Sequence, residues 1–130
     1  MGDEGTNGAV RKRVLVVDDD RNLQFLAGRI LREAGYDVEF ASDGATALEK
    51  VASSRPDLLI LDLTLPNIDG RGVLLQLKDL ATAPPVLVLT AHGQHFSGAD
   101  AVRRQAAGLM AKPFSLKDLV ATCEKILGEA

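Results

Sequence analysis

The chain is nearly without cysteine: Cys123 is the single one in 130 residues. That excludes an internal disulfide, and no Cys and His spacing of a zinc site occurs, so a reducing cytoplasm is the expected compartment. Positive charge is not in excess either. The 15 Lys and Arg against 18 Asp and Glu leave a net charge of −3, which offers no chain-wide field to hold nucleic acid, and no direct nucleic-acid partner is expected. No run approaches the ~20 apolar residues that span a bilayer, and no apolar signal-peptide core opens the chain. A soluble protein without membrane contact is expected. Met1, Gly2 and Thr6 satisfy the bare N-myristoylation pattern, but Asp3 and Glu4 intervene, and so short a pattern often arises by chance. Residues 1–12 read as a flexible, polar, Gly-rich leader, and 13–128 as the folded domain.

What is present is a 46% hydrophobic composition, ordinary for a globular domain with one core. Val14 to Val17 is a continuous apolar run, as expected of a strand buried on both faces of a parallel sheet. After it the period changes: Leu23, Leu26, Ala27, Ile30, Leu31 and Ala34 make a helical stripe, and Gly35 stands where a helix ends. The alternation repeats. A strand is predicted over Asp37 to Ala41, a helix after Asp43 with Ala45, Leu48, Val51 and Ala52, and a strand over Leu58 to Leu61. Gly70 opens a third helix, Val86 to Leu89 forms a fourth strand, and a weaker Gly-containing helix carries Phe96, Ala99, Val102 and Ala106. Gly108 to Ala111 is a fifth strand. Ser115 and Asp118 resemble a capping box for the last helix, on whose apolar stripe Cys123 reads as a core residue.

Five strands alternating with five helices predict an α/β doubly wound fold with a five-stranded parallel sheet, a (βα)5 arrangement. Ligands of such sheets bind beyond the carboxyl ends of the strands. Asp18, Asp19 and Asp20 follow the first strand, Asp62 ends the third, Thr90 ends the fourth and Lys112 follows the fifth. All share one edge. Carboxylates at ~4 Å repel by several kcal/mol unless neutralised. Oxygen-only ligands favour a hard cation, and an open site with a few carboxylates suits Mg²⁺. Any one of these aspartates alone would more often be a helix cap, and Asp20 is read as one. Lys112 shifts the balance, because a phosphoryl group needs a cation as well as the metal. Asp62 is then the candidate nucleophile for an aspartyl phosphate, and Thr90 a hydrogen-bond donor to the product.

The segments Val14 to Asp19, Asp57 to Gly70 with Asp62, Leu65-Pro66 and Asp69-Gly70, Leu89-Thr90-Ala91, and Lys112-Pro113-Phe114 together resemble the receiver domain of two-component response regulators. The resemblance runs from about Arg13 to Leu127. It implies the flavodoxin-like sheet order 2-1-3-4-5, an example the general rule for doubly wound folds itself includes. It also implies Asp62 as phosphoacceptor, Asp18 and Asp19 as the acidic pair with Asp19 on Mg²⁺, and Thr64 as a backbone carbonyl ligand. Lys112 would pair with the phosphate, Thr90 would swing toward it, and Ala91 would offer room and a backbone N–H. His92 and Thr64 would flank the attacking water. The Lys112–Pro113 bond is expected to be cis, against an X-Pro base rate of about 5%.

Two positions depart from the family. Leu109 stands where it usually has Tyr or Phe, and Gln105 where it usually has glycine. Any switch is therefore expected to rely on backbone rearrangement after Thr90 and on the fourth helix. The implied donor is a sensor histidine kinase or histidine phosphotransfer protein, meeting the first-helix face. The implied readers are a downstream protein or an output domain not in this chain, on the surface of the fourth helix, fifth strand and fifth helix. A phosphorylation-dependent dimer belongs to the same expectation. The chain would act on itself and then serve as a signal, not as a turnover enzyme. Two alternatives stand beside this: a metal-dependent aspartyl phosphatase, disfavoured because Thr64 occupies the place of its acid, and a non-phosphorylated, receiver-like interaction module.

Overall fold

The computed structural model describes residues 11–63, 70–80, 83–91 and 105–128. In chain order the elements are β1 (Arg13–Val17), α1 (Arg21–Glu33), β2 (Asp37–Ala41), α2 (Gly44–Ser54), β3 (Leu58–Asp62), α3 (Gly70–Lys78), β4 (Val86–Ala91), β5 (Gly108–Lys112) and α4 (Leu116–Leu127). The helix expected over 96–106 lies outside the described residues save for its end, where Gln105 is helical. All pairings are parallel, and the sheet order is β2-β1-β3-β4-β5. That is the doubly wound order 2-1-3-4-5 of the flavodoxin-like fold.

Alternation along the strands divides the core into two layers. Leu15, Val17, Leu59, Leu61 and Val88 face α2 and α3, whereas Val14, Val16, Leu58, Ile60, Leu87 and Leu89 face α1 and α4. β1 and β3 therefore read as unbroken apolar runs because both faces are covered. Three strands run beyond the apolar residues that predicted them: Asp62 ends β3 as read from sequence, Thr90 is followed by one more strand residue in β4, and Lys112, expected to follow β5, is its last residue.

The helix stripes correct two details. Leu26 is 46% exposed, since α1 buries Ala27, Gly28 and Leu31 instead. On α2 the buried face is Gly44, Ala47 and Val51, with Ala45 and Ala52 exposed. Alanine buries little apolar area and so marks a helical face poorly. At Gly28 a Cβ would lie 2.5 Å from the Phe40 ring, so only glycine lets α1 pack this close to β2. The edge strand β2 is protected. Arg32 donates to the Val38 carbonyl at 3.3 Å and Lys50 to the Phe40 carbonyl at 2.7 Å, which occupies two acceptors that a further strand would need.

Cys123 is fully buried against the sheet face of α4, and burial pushes its thiol up to about 12. A raised thiol value holds the proton in the folded protein where the unfolded chain would release it. Its contribution is therefore present below pH 9 and is lost as pH rises from the ordinary value of 9.0 toward about 12. Iodoacetamide at neutral pH should leave Cys123 unmodified in the native protein and alkylate it in denaturant, as peptide mass analysis will report.

Candidate functional site

The acidic residues reach one place because β1 and β3 are neighbours in register, Val17 opposite Leu61, and the next residue is an aspartate in each case, Asp18 just past β1 and Asp62 at the end of β3. Asp18 is held rigidly. Its N–H donates to the Ala41 carbonyl at 3.1 Å, and its Oδ1 accepts from the Asp20 N–H at 2.9 Å. Asp20 caps α1, accepting from the Asn22 and Leu23 N–H groups, which is the role read for it from sequence. Gln24 completes the frame. Its amide donates to the Asp18 carbonyl at 2.6 Å and to Ser42 Oγ at 3.1 Å, joining the β1 and β2 ends. Sequence reasoning missed Gln24, for its partners come from the folded loops and leave no local pattern.

Lys112 stands on the far side, delivered by β5, whose register sets Ala91 opposite it. Its Nζ lies 2.9 Å from Asp18 Oδ2 and 3.3 Å from Asp62 Oδ2, bridging both carboxylates. The Lys112–Pro113 bond is cis. Asp18 is 0% and Asp62 5% exposed, whereas Asp19 faces solvent. Burial raises the Asp18 carboxyl above the ordinary 3.8, opposed by the Asp20 N–H and by Lys112. For Lys112, burial works to lower the ammonium, but its contacts with Asp18 and Asp62 outweigh this and leave it above 10.5.

Among the described residues, Asp18, Asp19 and Asp62 offer carboxylate oxygens all within 4.8 Å of one another. Three carboxylates against one ammonium leave two negative charges in excess. An all-oxygen donor set with that excess, open to solvent on the Asp19 side, fits a hard divalent cation of the Mg²⁺ type. Thr90 is buried beside the site, but its hydroxyl donates to the Met110 carbonyl at 3.5 Å, toward β5 and away from the carboxylates. Ala91 ends β4. Leu109 is 38% exposed on β5. Thr64 and His92 lie outside the described residues. Gln105, at the place of the family's glycine, donates from its amide to the Leu74 carbonyl of α3.

A model of the response regulator receiver domain matches residues 14–124. The chain belongs to the response regulator receiver domain family. Response regulator MprA of Mycobacterium ulcerans and that of Mycobacterium tuberculosis are each 43% identical to it over 122 residues, 88% of this chain and 50% of each relative. The receiver thus spans about half the length of these curated relatives. Among solved structures, chemotaxis response regulator CheY4 of Vibrio cholerae superposes with TM-score 0.82 at 29% identity, covering 91% of this chain and all of that one. A CheY-like receiver domain protein from Methanospirillum hungatei gives TM-score 0.84 at 26% identity, over 92% and 96% of the two chains. Receivers bind Mg²⁺ at an acidic pocket, and this chain has an aspartate cluster of three.

Proposed function

We propose that this receiver accepts a phosphoryl group on Asp62 from a phosphohistidine of a sensor histidine kinase or histidine phosphotransfer protein, in a Mg²⁺-dependent reaction. The observation that carries the reading is the Lys112 bridge to Asp18 and Asp62 with Asp19 alongside. Asp18, Asp19, Asp62 and the Thr64 carbonyl would hold the metal. A Mg²⁺ ion held by these groups would supply charge neutralisation for the phosphoryl oxygens.

An Asp62 oxygen attacks phosphorus; the O–P bond forms as the N–P bond breaks, and its electron pair leaves on the imidazole nitrogen. Lys112 exchanges one of its carboxylate contacts for a phosphoryl oxygen, a charge-assisted hydrogen bond that strengthens as negative charge gathers there. The Thr90 hydroxyl gives up Met110 and turns to the phosphate. At 3.5 Å the bond it leaves is a weak one. The Ala91 N–H would be a second donor, and the receiver resemblance gives His92 and Thr64 the role of flanking the water that would later hydrolyse the product. With Leu109 in place of an aromatic ring, the Thr90 movement is transmitted through the backbone of the following segment, to a surface read by a downstream protein, an output domain or a second copy. The donor docks in the cleft of about 470 Å³ between Leu23 and Leu26 of α1 and Pro113, Phe114 and Leu116. The setting is the cytoplasm, and the chemistry is confined to the chain's own aspartate.

Beryllofluoride mimics the acyl phosphate. With Mg²⁺ present it should shift amide NMR signals at Asp62, Thr90, Ala91 and Lys112, and EDTA should reverse the shifts. Unmoved signals would favour the non-phosphorylated interaction module.

A further inference from the structure

α1 carries a second face that the phosphoacceptor chemistry does not use. Arg21, Phe25 and Arg29 recur at i, i+4 and i+8, one side of the helix, and Arg32 follows one turn on. With Phe40 of β2 they line a cleft of about 540 Å³. Phe25 is 67% exposed at its centre. Among the described residues Arg21 has no ion-pair or hydrogen-bond partner, and Arg29 meets only Glu33 at 3.3 Å, a pair so exposed that it holds Arg29 weakly. Arg32 is fixed, its guanidinium 5.4 Å from the Phe40 ring centroid while it donates to Val38.

Three features of this face decide what it takes. Three arginines against one glutamate make it cationic on a chain whose net charge is −3. Exposed aromatic and arginine side chains together are the composition of interface hot spots. The neighbouring sheet edge is closed to strand addition by Arg32 and Lys50, so a partner has to be held by side chains. This cleft is separate from the one between α1 and the Pro113 loop, which shares none of its lining residues. We propose that the Arg21–Phe25–Arg29 face of α1, with Arg32 and Phe40, docks an acidic helical segment of a partner protein. Its apolar side chain would seat between Phe25 and Phe40, and its carboxylates would meet Arg21 and Arg29, which stand ~12 Å apart along the helix.

The probe is a blocked, alanine-based helical peptide with one leucine flanked two turns apart by glutamates, titrated into the ¹⁵N-labelled protein. Shifts should centre on α1 residues 21–33 and on Phe40, and the affinity should fall at least about tenfold as NaCl rises from ~0.05 M to ~0.5 M. Phe25→Ser and Arg29→Glu, both on exposed positions, should each weaken binding about tenfold or more, with unchanged amide spectra elsewhere and unchanged acceptance of phosphoryl from acetyl phosphate. The proposal is overturned if the peptide produces no shifts, if they centre on Leu26 and Pro113, if a lysine version binds as well, or if only phosphatidylglycerol vesicles bind. It is overturned equally if this face proves to be covered by a second copy in sedimentation analysis.

Discussion

Asp62→Asn should abolish phosphoryl acceptance while leaving the fold intact. The amide is isosteric with the carboxylate, so packing at the end of β3 is unchanged, but it presents no anionic oxygen to attack phosphorus. With acetyl phosphate and Mg²⁺, the native protein should gain the mass of one phosphoryl group and the variant none. Stability should move little, and the direction is informative. Asp62 and Asp18 are buried like charges bridged by one ammonium, so removing one leaves Lys112 paired with Asp18 and lessens carboxylate repulsion. The variant should melt at the native temperature or slightly above it. A variant that still gained phosphoryl mass would move the acceptor to Asp18 or Asp19.

Lys112→Met has the second largest effect, and it acts on stability and chemistry together. Met spares the aliphatic packing of the stem but strands Asp18, which is wholly buried, and Asp62, which is nearly so. Breaking a buried pair from one side costs about 3–5 kcal/mol. Lys112 is 33% exposed, and solvent screening brings the expected loss to about 2–3 kcal/mol, read from urea midpoints. Phosphorylation should slow by ~10²–10³, the scale set by removing one preorganised donor to a developing oxyanion.

The pH dependence follows in sign. Lys112 lies above its ordinary 10.5 in the folded protein. Its contribution is full below that value and is lost as pH rises through the raised one. The Met variant should lack this alkaline loss, leaving the one due to Cys123. Asp18 has the same sign at the acid end: its carboxyl is raised by burial, so folding is relatively favoured as pH falls through its folded value and loses that advantage as pH rises. Phosphoryl acceptance should accordingly fail in acid before the fold does.

The strands were legible where burial covers both faces. Val14 to Val17, Leu58 to Leu61 and Val86 to Leu89 leave no polar residue to interrupt them, and the structure buries every one. Helical faces were legible to the extent that leucine and valine mark them. Leu26 departs because a residue at the rim of a stripe is assigned by the neighbouring element, here the Pro113 loop, which no local pattern describes. The order of the strands came from the resemblance alone, since periodicity carries no information about which strand lies beside which. At the site, residue types at strand ends pointed to one edge before any geometry, because a parallel sheet carries every strand's end to the same side. What stayed hidden was contact that only folding creates: the Thr90 hydroxyl on Met110, Gln24 on Asp18 and Ser42, and Gln105 on Leu74.

The most direct test is to locate the modified residue. After incubation with acetyl phosphate and Mg²⁺, borohydride reduces an aspartyl phosphate to homoserine, which tandem mass spectrometry places in the sequence. Homoserine at position 62, lost on EDTA treatment before the reaction, is the result predicted here. Homoserine at position 18 or 19, or none at all in a protein whose amide spectrum shows it folded, would contradict it.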